Sequence, residues 1–174
     1  MEALVLLRES LDHMAWADAR VWRTVLGTQG AGEDPAVRGQ LLHTHMLQWA
    51  FLSMWTKVPF ERERAASLSI DQLAEWAREF HSAAATFTGS IDPALVGSAV
   101  SLPWSKQVAG ASGRDLAPTT LGETMMQIVL HSAQHRGQVN ARLRELGGEP
   151  LGTDFISWVT SSKPSAEWPE ACVE

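Results

Sequence analysis

Two histidines on one predicted helix have the spacing of a metal-binding pair. His131 and His135 are one helical turn apart, and positions four apart in an α-helix differ in direction by only about 40°, so both imidazoles lie on one face. Imidazole nitrogens bind zinc, iron and nickel in proteins. The spacing indicates a metal site, although a hydrogen-bonded pair in the core or on the surface would share it. A tight site needs a third ligand from another helix.

His43 is the best candidate for that third ligand. It lies in the predicted second helix, where His45 cannot share its direction because two residues rotate an α-helix by about 200°. His13 and His81 lie on helices without a partner at ligand spacing, and we expect them to be ordinary polar residues. The candidate metal ligands are therefore His43 and the pair on the later helix.

Three neutral imidazoles with an open position are typical of catalytic zinc sites rather than closed structural ones. A metal ion held in this way can lower the pKa of a bound water to about 7, or can deprotonate a bound thiol. The sequence has no His-Glu-x-x-His motif of metalloproteases and no Glu-x-x-His motif of carboxylate-bridged di-iron centres. Its lone cysteine, Cys172, cannot form a disulfide within the chain. Because this one thiol lies only two residues before the last residue of the sequence, we expect a reacting thiol to come from a second substrate.

Four predicted helices must position these histidines. Apolar periodicity and end signals place them over residues 3–26, 35–55, 69–89 and 120–147. The second helix is apolar on most of its circumference, which means that it needs partners on more than one side. Because no part of the chain is rich in strand signals, the pattern predicts an all-α four-helix bundle.

The starts of three helices carry specific capping signals. Asp34 precedes Pro35, which is favoured at the first helical position. Ser69 and Thr120 each have a Gln or Glu three residues later, which is the pattern of a capping box. These signals predict helix starts at residues 35, 70 and 121.

A long connection separates the third and fourth bundle helices. Residues 89–119 are rich in Gly, Ser, Pro and Ala, and connections longer than about 15 residues are uncommon unless they are functional or locally structured. Alternation over residues 99–104 predicts a short strand, in a β-hairpin closed around residues 109–113. This crossover either runs over the surface between distant bundle ends, which we favour, or covers the site as a lid.

The chain after the fourth helix is predicted to continue with one short helix. Thr153 or Asp154 caps it, and it ends near Val159. We expect a bundle domain over residues 1–162 and a loosely ordered tail over residues 163–174, with Trp168 docked on the bundle.

Composition narrows the class of protein. The chain has 174 residues, a length that suits one domain. Its formal net charge of −6 and pI of about 5.5 argue against binding to duplex nucleic acid, which requires a basic surface. No apolar run approaches the roughly 18 residues that span a membrane, and the N-terminus lacks the basic leader of a secretory signal. We therefore expect a cytoplasmic protein that binds neither nucleic acid nor membrane.

The histidine pair lies in a longer motif that resembles a known family. Residues 131–138, His-Ser-Ala-Gln-His-Arg-Gly-Gln, match the HxxxHRGQ motif of the DinB/YfiT-like proteins. The resemblance continues through Leu-Gly-Gly-Glu-Pro at residues 146–150, and Leu42-His43 is similar to the family's histidine on the second helix. Trp-Ala-Asp at residues 16–18 is similar to the motif of the first helix. The family often has Glu where this chain has Gln48, and often has an additional His where it has Gln134.

The resemblance implies a homodimeric bundle that binds one divalent metal ion through His43, His131 and His135. Zinc is the first expectation for the metal, and nickel or iron would also suit imidazole ligands. Known activities in the family include transfer of a low-molecular-weight thiol and a thiol-dependent isomerisation. The resemblance therefore implies a thiol-dependent transferase or a hydrolase of a small-molecule substrate; the alternative is a metal-binding stress-response protein without turnover.

Four further residues have candidate roles around this site. Asp18 interrupts the apolar stripe of the first helix; it could orient a ligand histidine, but a structural pairing with Arg136 or with a backbone group is the interpretation we favour. Gln138 and Arg142 could contact an anionic substrate or could simply be solvated. Gly137 lies within a predicted helix, and we expect close helix packing to explain it.

Overall fold

The protein was described from a computed structural model that covers residues 2–59, 62–103, 110 and 117–170. Among these residues the chain forms six α-helices and two short strands. In chain order they are α1 (Glu2–Gly27), α2 (Pro35–Thr56), α3 (Arg62–Ala65), α4 (Ile70–Ser90), β1 (Ala99–Val100), β2 (Thr119–Thr120), α5 (Leu121–Glu145) and α6 (Phe155–Thr160). The predicted all-α class is confirmed, and the four long helices begin and end within about two residues of their predicted bounds.

The predicted helix starts have the expected hydrogen bonds. The Asp34 carboxylate accepts from the backbone N–H groups of Ala36 and Val37 at the start of α2. Ser69 with Gln72, and Thr120 with Glu123, form complete capping boxes at the starts of α4 and α5. Because these bonds satisfy N–H groups that have no partner within the helix, short sequence signals were sufficient to predict them.

The four long helices bury their apolar faces against one another. Both α1 and α2 pack against α4 and α5, so α2 and α5 are neighbours along the bundle. The core contains the fully buried side chains of Trp22, Met14, Phe80 and Met125. None of the helices in the described ranges has the length and apolar character needed to cross a membrane.

The crossover into α5 is tied at both of its ends. A 3₁₀ turn over Pro93–Gly97 leads into β1, which pairs in antiparallel fashion with β2, Ala99 opposite Thr120 and Val100 opposite Thr119. The predicted strand is therefore present, with only two residues. The predicted closure of the hairpin around residues 109–113 lies outside the described residues, except for Gly110.

Gly122 explains how closely the 3₁₀ turn approaches the first turn of α5. A Cβ atom at this position would lie 2.7 Å from Cγ1 of Val96 and 3.2 Å from the Val96 carbonyl oxygen. Real side chains do not tolerate such a separation, so the absence of a side chain permits the contact. The Leu121 N–H also donates to the Ser98 carbonyl at 2.9 Å, which holds the start of α5 against the crossover.

The chain beyond α6 lies along α1 and α4. The Lys163 ammonium pairs with the Glu9 carboxylate at 2.6 Å, and the Trp158 indole donates to the Pro164 carbonyl at 2.9 Å. Trp168 packs beside the His81 ring, with ring centroids 5.3 Å apart. The expected docking of Trp168 is thus present.

Candidate metal centre

The structure brings His43, His131 and His135 together between α2 and α5. One nitrogen of each ring lies within 4.8 Å of the others. The Nε2 atom of His131 is 3.2 Å from Nε2 of His43 and 3.0 Å from Nε2 of His135. Among the described residues these three form the one group of His, Cys, Asp or Glu side chains whose ligand atoms converge in this way.

The group opens to solvent on one side. His43 is exposed, whereas His131 and His135 are half-buried. A small molecule could therefore reach the point where the three rings meet.

Two glutamines hold the ring of His135 in one orientation. The Oε1 atoms of Gln40 and Gln138 lie 2.7 Å and 2.6 Å from Nδ1 of His135. An amide oxygen only accepts, so Nδ1 carries the proton and Nε2 keeps its lone pair toward the other two histidines. Gln138 therefore supports a histidine of the group, whereas the sequence suggested contact with substrate or solvent.

Gln40 was not identified from the sequence. It lies three residues before His43 on α2, which places both side chains on the same face of the helix. A polar residue one turn from a candidate ligand could have been noticed as a partner. Its contact with His135 on α5, however, depends on how the two helices pack.

The electrostatic environment favours the neutral forms of His43 and His131. Partial burial and the neighbouring His135 ring lower the pKa of His43. Partial burial, together with His135 and His43, lowers the pKa of His131 to about 4. At neutral pH these rings present lone pairs, which is the form that binds a metal ion.

The spacing of the ring nitrogens fits one metal ion. Two imidazoles bound to a tetrahedral zinc ion at about 2.0 Å would have nitrogens about 3.3 Å apart. The separations of 3.0 and 3.2 Å around His131 are close to that value. The three nitrogens are therefore spaced as a group that could hold one divalent ion.

Asp18 lies beside the group but makes its hydrogen bonds elsewhere. Its carboxylate is buried and accepts from Arg136 at 2.8 Å, from His81 at 3.0 Å and from Gln48 at 2.9 Å. Burial alone would raise the pKa of Asp18, but Arg136 and His81 hold it well below its usual range. The favoured interpretation from the sequence, a structural pair with Arg136, is confirmed.

The hydrogen bonds continue from Asp18 across the bundle interior. Gln48 also donates to Ser132 Oγ at 3.0 Å, and its Oε1 accepts from Nδ1 of His45 at 2.8 Å. Nε2 of His45 accepts in turn from the Trp22 indole at 3.0 Å. We call this set the Asp18 network; its members are Asp18, Trp22, His45, Gln48, His81, Ser132 and Arg136.

His81 is not the ordinary polar residue that the sequence predicted. Its side chain is only 6 % exposed and forms an ion-pair contact with Asp18. No ligand spacing marks it in the sequence, because its partner lies on another helix. A histidine on the apolar side of an amphipathic helix was the one available signal.

Arg142 is held away from the metal centre. Its guanidinium donates to the Asp34 carboxylate at 2.7 Å and to Glu145 at 2.7 Å. Hydrogen bonding to these carboxylates raises the pKa of Arg142 above its ordinary value. The residue links α5 to the start of α2, so the suggested contact with an anionic substrate would require it to leave Asp34.

Close helix packing does not explain Gly137 within the chain. A Cβ atom at this position would meet no other side chain or helix within 4 Å. The residue lies on the exposed face of α5 between Arg136 and Gln138. No helix of the same chain therefore approaches closely enough to require this glycine.

Comparison with known proteins identifies the family. A family model described as the DinB family matches residues 6–166, a range that includes all three convergent histidines and nearly all of the four long helices. No curated protein and no solved structure matches the chain. The match covers most of the sequence, in agreement with the motif at residues 131–138. The chain belongs to the DinB family.

Proposed function

We propose that the protein is a divalent-metal-dependent enzyme that transfers a low-molecular-weight thiol to a small electrophile or hydrolyses a small substrate. The observation that carries this proposal is the convergence of three imidazole nitrogens, one of them on the exposed His43. Three protein nitrogens with an accessible fourth position are the ligand pattern of catalytic rather than structural zinc. Zinc is the proposed metal, and nickel or iron would suit the same ligands.

The proposed ligands are His43, His131 and His135. When bound, the metal ion would supply a Lewis acid that makes a thiol or water nucleophilic at neutral pH. Other residues of the chain would orient these ligands. Gln40 and Gln138 keep the proton of His135 on Nδ1, so that Nε2 faces the metal position. A reacting thiol is proposed to come from a cosubstrate, since the chain has one cysteine, Cys172, two residues before its last residue.

We further propose a cytoplasmic homodimer. The side chains of Leu130 and Met126, 61 % and 37 % exposed, lie on one exposed face of α5 and support an interface there. The bundle domain is proposed to comprise residues 1–162, with residues 163–174 as a C-terminal tail. Static light scattering at micromolar concentration tests the dimer, and a monomeric mass would contradict it.

Metal analysis is the first test of the proposed activity. The full chain, purified without a polyhistidine tag, is expected to contain or take up one divalent ion per chain by inductively coupled plasma mass spectrometry. His43→Ala and His131→Ala are expected to lose that ion. Gln134→Ala, on the exposed face of the same helix as His131, is the matched control and is expected to keep it.

Turnover is tested with the metal-loaded protein. We expect it to consume a low-molecular-weight thiol in the presence of an electrophile, or to hydrolyse a small ester or amide, and His43→Ala to abolish that reaction. Tight metal binding without turnover over a broad panel would instead support the metal-binding stress-response function. Failure to bind any divalent ion would overturn both functions.

A further inference from the structure

Two residues of α5 belong to the Asp18 network, and each of them directly follows a histidine of the metal centre. Ser132 comes directly after His131, and Arg136 directly after His135, so the two pairs repeat with the same helical spacing. Ser132 Oγ accepts from Gln48, and Arg136 donates to Asp18. The metal-facing stripe of α5 therefore lies next to a stripe that is tied to other helices by hydrogen bonds.

The same network holds the helix that carries His43. His45 and Gln48 lie two and five residues after His43 on α2, and both are about 1 % exposed. Gln48 is the central link, because its amide donates to Asp18 on α1 and to Ser132 on α5. One set of buried bonds thus joins α2 to α5 on the inner side of the metal centre.

Each bond of this network has a defined donor and acceptor. The Asp18 carboxylate only accepts, so His81, Gln48 and Arg136 must donate to it. The Trp22 indole only donates, so His45 accepts through Nε2 and donates through Nδ1. A rotation of α2 or α5 would leave a buried polar group without its partner, which costs about 1–3 kcal/mol for each neutral group.

We propose that the Asp18 network positions the three histidines of the metal centre. It fixes the rotation of α2 and α5, so that the three ring nitrogens converge before a metal ion binds. Asp18, Gln48 and Ser132 are positioning residues, since they act through the helices and touch neither the metal position nor the rings. Metal sites need ligands held within about 0.5 Å of their binding geometry. Apolar packing alone leaves helix crossing angles with a scatter of about 15–20° between proteins, so it does not fix the geometry that closely. This inference rests on the proposed metal centre.

Ser132→Ala is the sharpest test, because it removes one hydroxyl and adds no bulk at a fully buried position. Thr124→Val is the matched control. Thr124 is equally buried on α5 and accepts from the Trp55 indole of α2 at 2.9 Å, but it lies outside the Asp18 network. Both variants remove one buried hydrogen bond between the same two helices, so a purely structural role would affect them equally.

The measurement is Co²⁺ affinity of the metal-free full chain, by competition with a chromophoric chelator, together with the visible spectrum of the Co²⁺ protein. We expect Ser132→Ala to weaken binding by about tenfold and to alter the ligand-field bands. Thr124→Val is expected to leave both unchanged. Urea unfolding of each metal-free variant verifies that the variant is folded under the conditions of the affinity measurement. Equal Co²⁺ affinity and identical spectra for the two variants would overturn the inference.

A second readout does not depend on metal binding. Long-range ¹H–¹⁵N spectra of the metal-free protein report the ring protonation and tautomer of His131 and His135. We expect one defined tautomer of His135 in the parent chain, and averaging of that signal in Ser132→Ala but not in Thr124→Val. If the parent chain binds no Co²⁺ but this difference is present, the proposed function fails and the positioning role stands. If the spectra of the two variants are the same, the positioning role fails.

Discussion

Nδ1 of His135 lies 2.6 Å from Oε1 of Gln138, one turn further along α5, and Gln40 approaches the same nitrogen from α2 at 2.7 Å. Two acceptors on one N–H fix the tautomer of the ring from both helices that form the metal centre. The orientation of His135 is therefore set before any ligand arrives.

Removal of these amide acceptors should weaken metal binding. We expect the double variant Gln40→Ala/Gln138→Ala to lose about 10- to 100-fold in Zn²⁺ affinity, because the His135 ring can then rotate and its tautomer is free. Competition with a fluorescent chelator measures this change. Gln134→Ala, also an exposed glutamine of α5, serves as the control and should bind Zn²⁺ like the parent chain. A double variant with the parent's affinity would show that the amides do not support the ring.

Loss of the Asp18 carboxylate should destabilise the fold strongly. In Asp18→Asn the Arg136 guanidinium remains buried without its counter-charge, and removal of one partner of a buried ion pair costs about 3–5 kcal/mol. The double variant Asp18→Leu/Arg136→Met should regain part of that loss, since neither charge is then buried, while His81 and Gln48 still lose the carboxylate that they share as acceptor. Urea unfolding monitored by circular dichroism measures both. A double variant no more stable than Asp18→Asn would contradict this account.

Two carboxylates of α1 should respond to acid in opposite directions. The folded state holds the pKa of Asp18 below its ordinary value, chiefly through Arg136 against the effect of burial, so its stabilising contribution is present above pH about 4 and is lost as the pH falls further. Burial and Glu9 raise the pKa of Asp12, so its charged form opposes folding at neutral pH and this cost disappears on acidification. Thermal unfolding between pH 7 and pH 2.5 measures these slopes.

The matched variants separate the two effects. Asp12→Asn should raise the melting temperature at pH 7 and make no difference at pH 3, whereas Asp18→Asn should unfold with a shallower dependence on acid than the parent chain. Melting temperatures of Asp12→Asn that lie below the parent's at pH 7 would refute the assigned direction for Asp12.

Gly137 should accept a side chain. Because a Cβ atom there meets open space, Gly137→Ala should stabilise the isolated protein by about 1 kcal/mol through the higher helix propensity of alanine. Urea unfolding of the metal-free chain measures this gain. Gly122→Ala is the contrasting control and should destabilise, since its Cβ would overlap Val96. A destabilised Gly137→Ala would show that the backbone at residue 137 needs glycine in the folded state.

Much of the fold was predictable because its signals are local. Helix starts at Asp34, Ser69 and Thr120 depend on bonds within four residues, and the apolar stripes repeat within each helix. The short helix α3 and the 3₁₀ turn before β1 were not predicted, because elements of four or five residues have no periodicity to recognise. The membership of the chain in its family agrees with the motif around the histidine pair.

The candidate site was predictable only where neighbours in sequence are also neighbours in space. His131 and His135 share a helix face, so their pairing follows from spacing. His43 was only the best remaining candidate on another helix until the family motif supported it. The supporting contacts of Gln40 and His81 cross between helices and depend on the rotation of each helix in the bundle. Side chains that meet in this way leave no regular pattern along the chain.

The pairing of β1 with β2 has a consequence for variation of the crossover. The two strands and the tight contact at Gly122 hold residues 98–100 against residues 119–122, so the start of α5 is set independently of the chain between them. The entropy of closing a loop increases only slowly with its length. A change in the length of the connection between the two strands would therefore cost little closure entropy, while the contacts at residues 98–100 and 119–122 keep the start of α5, and the histidines further along it, in the same register.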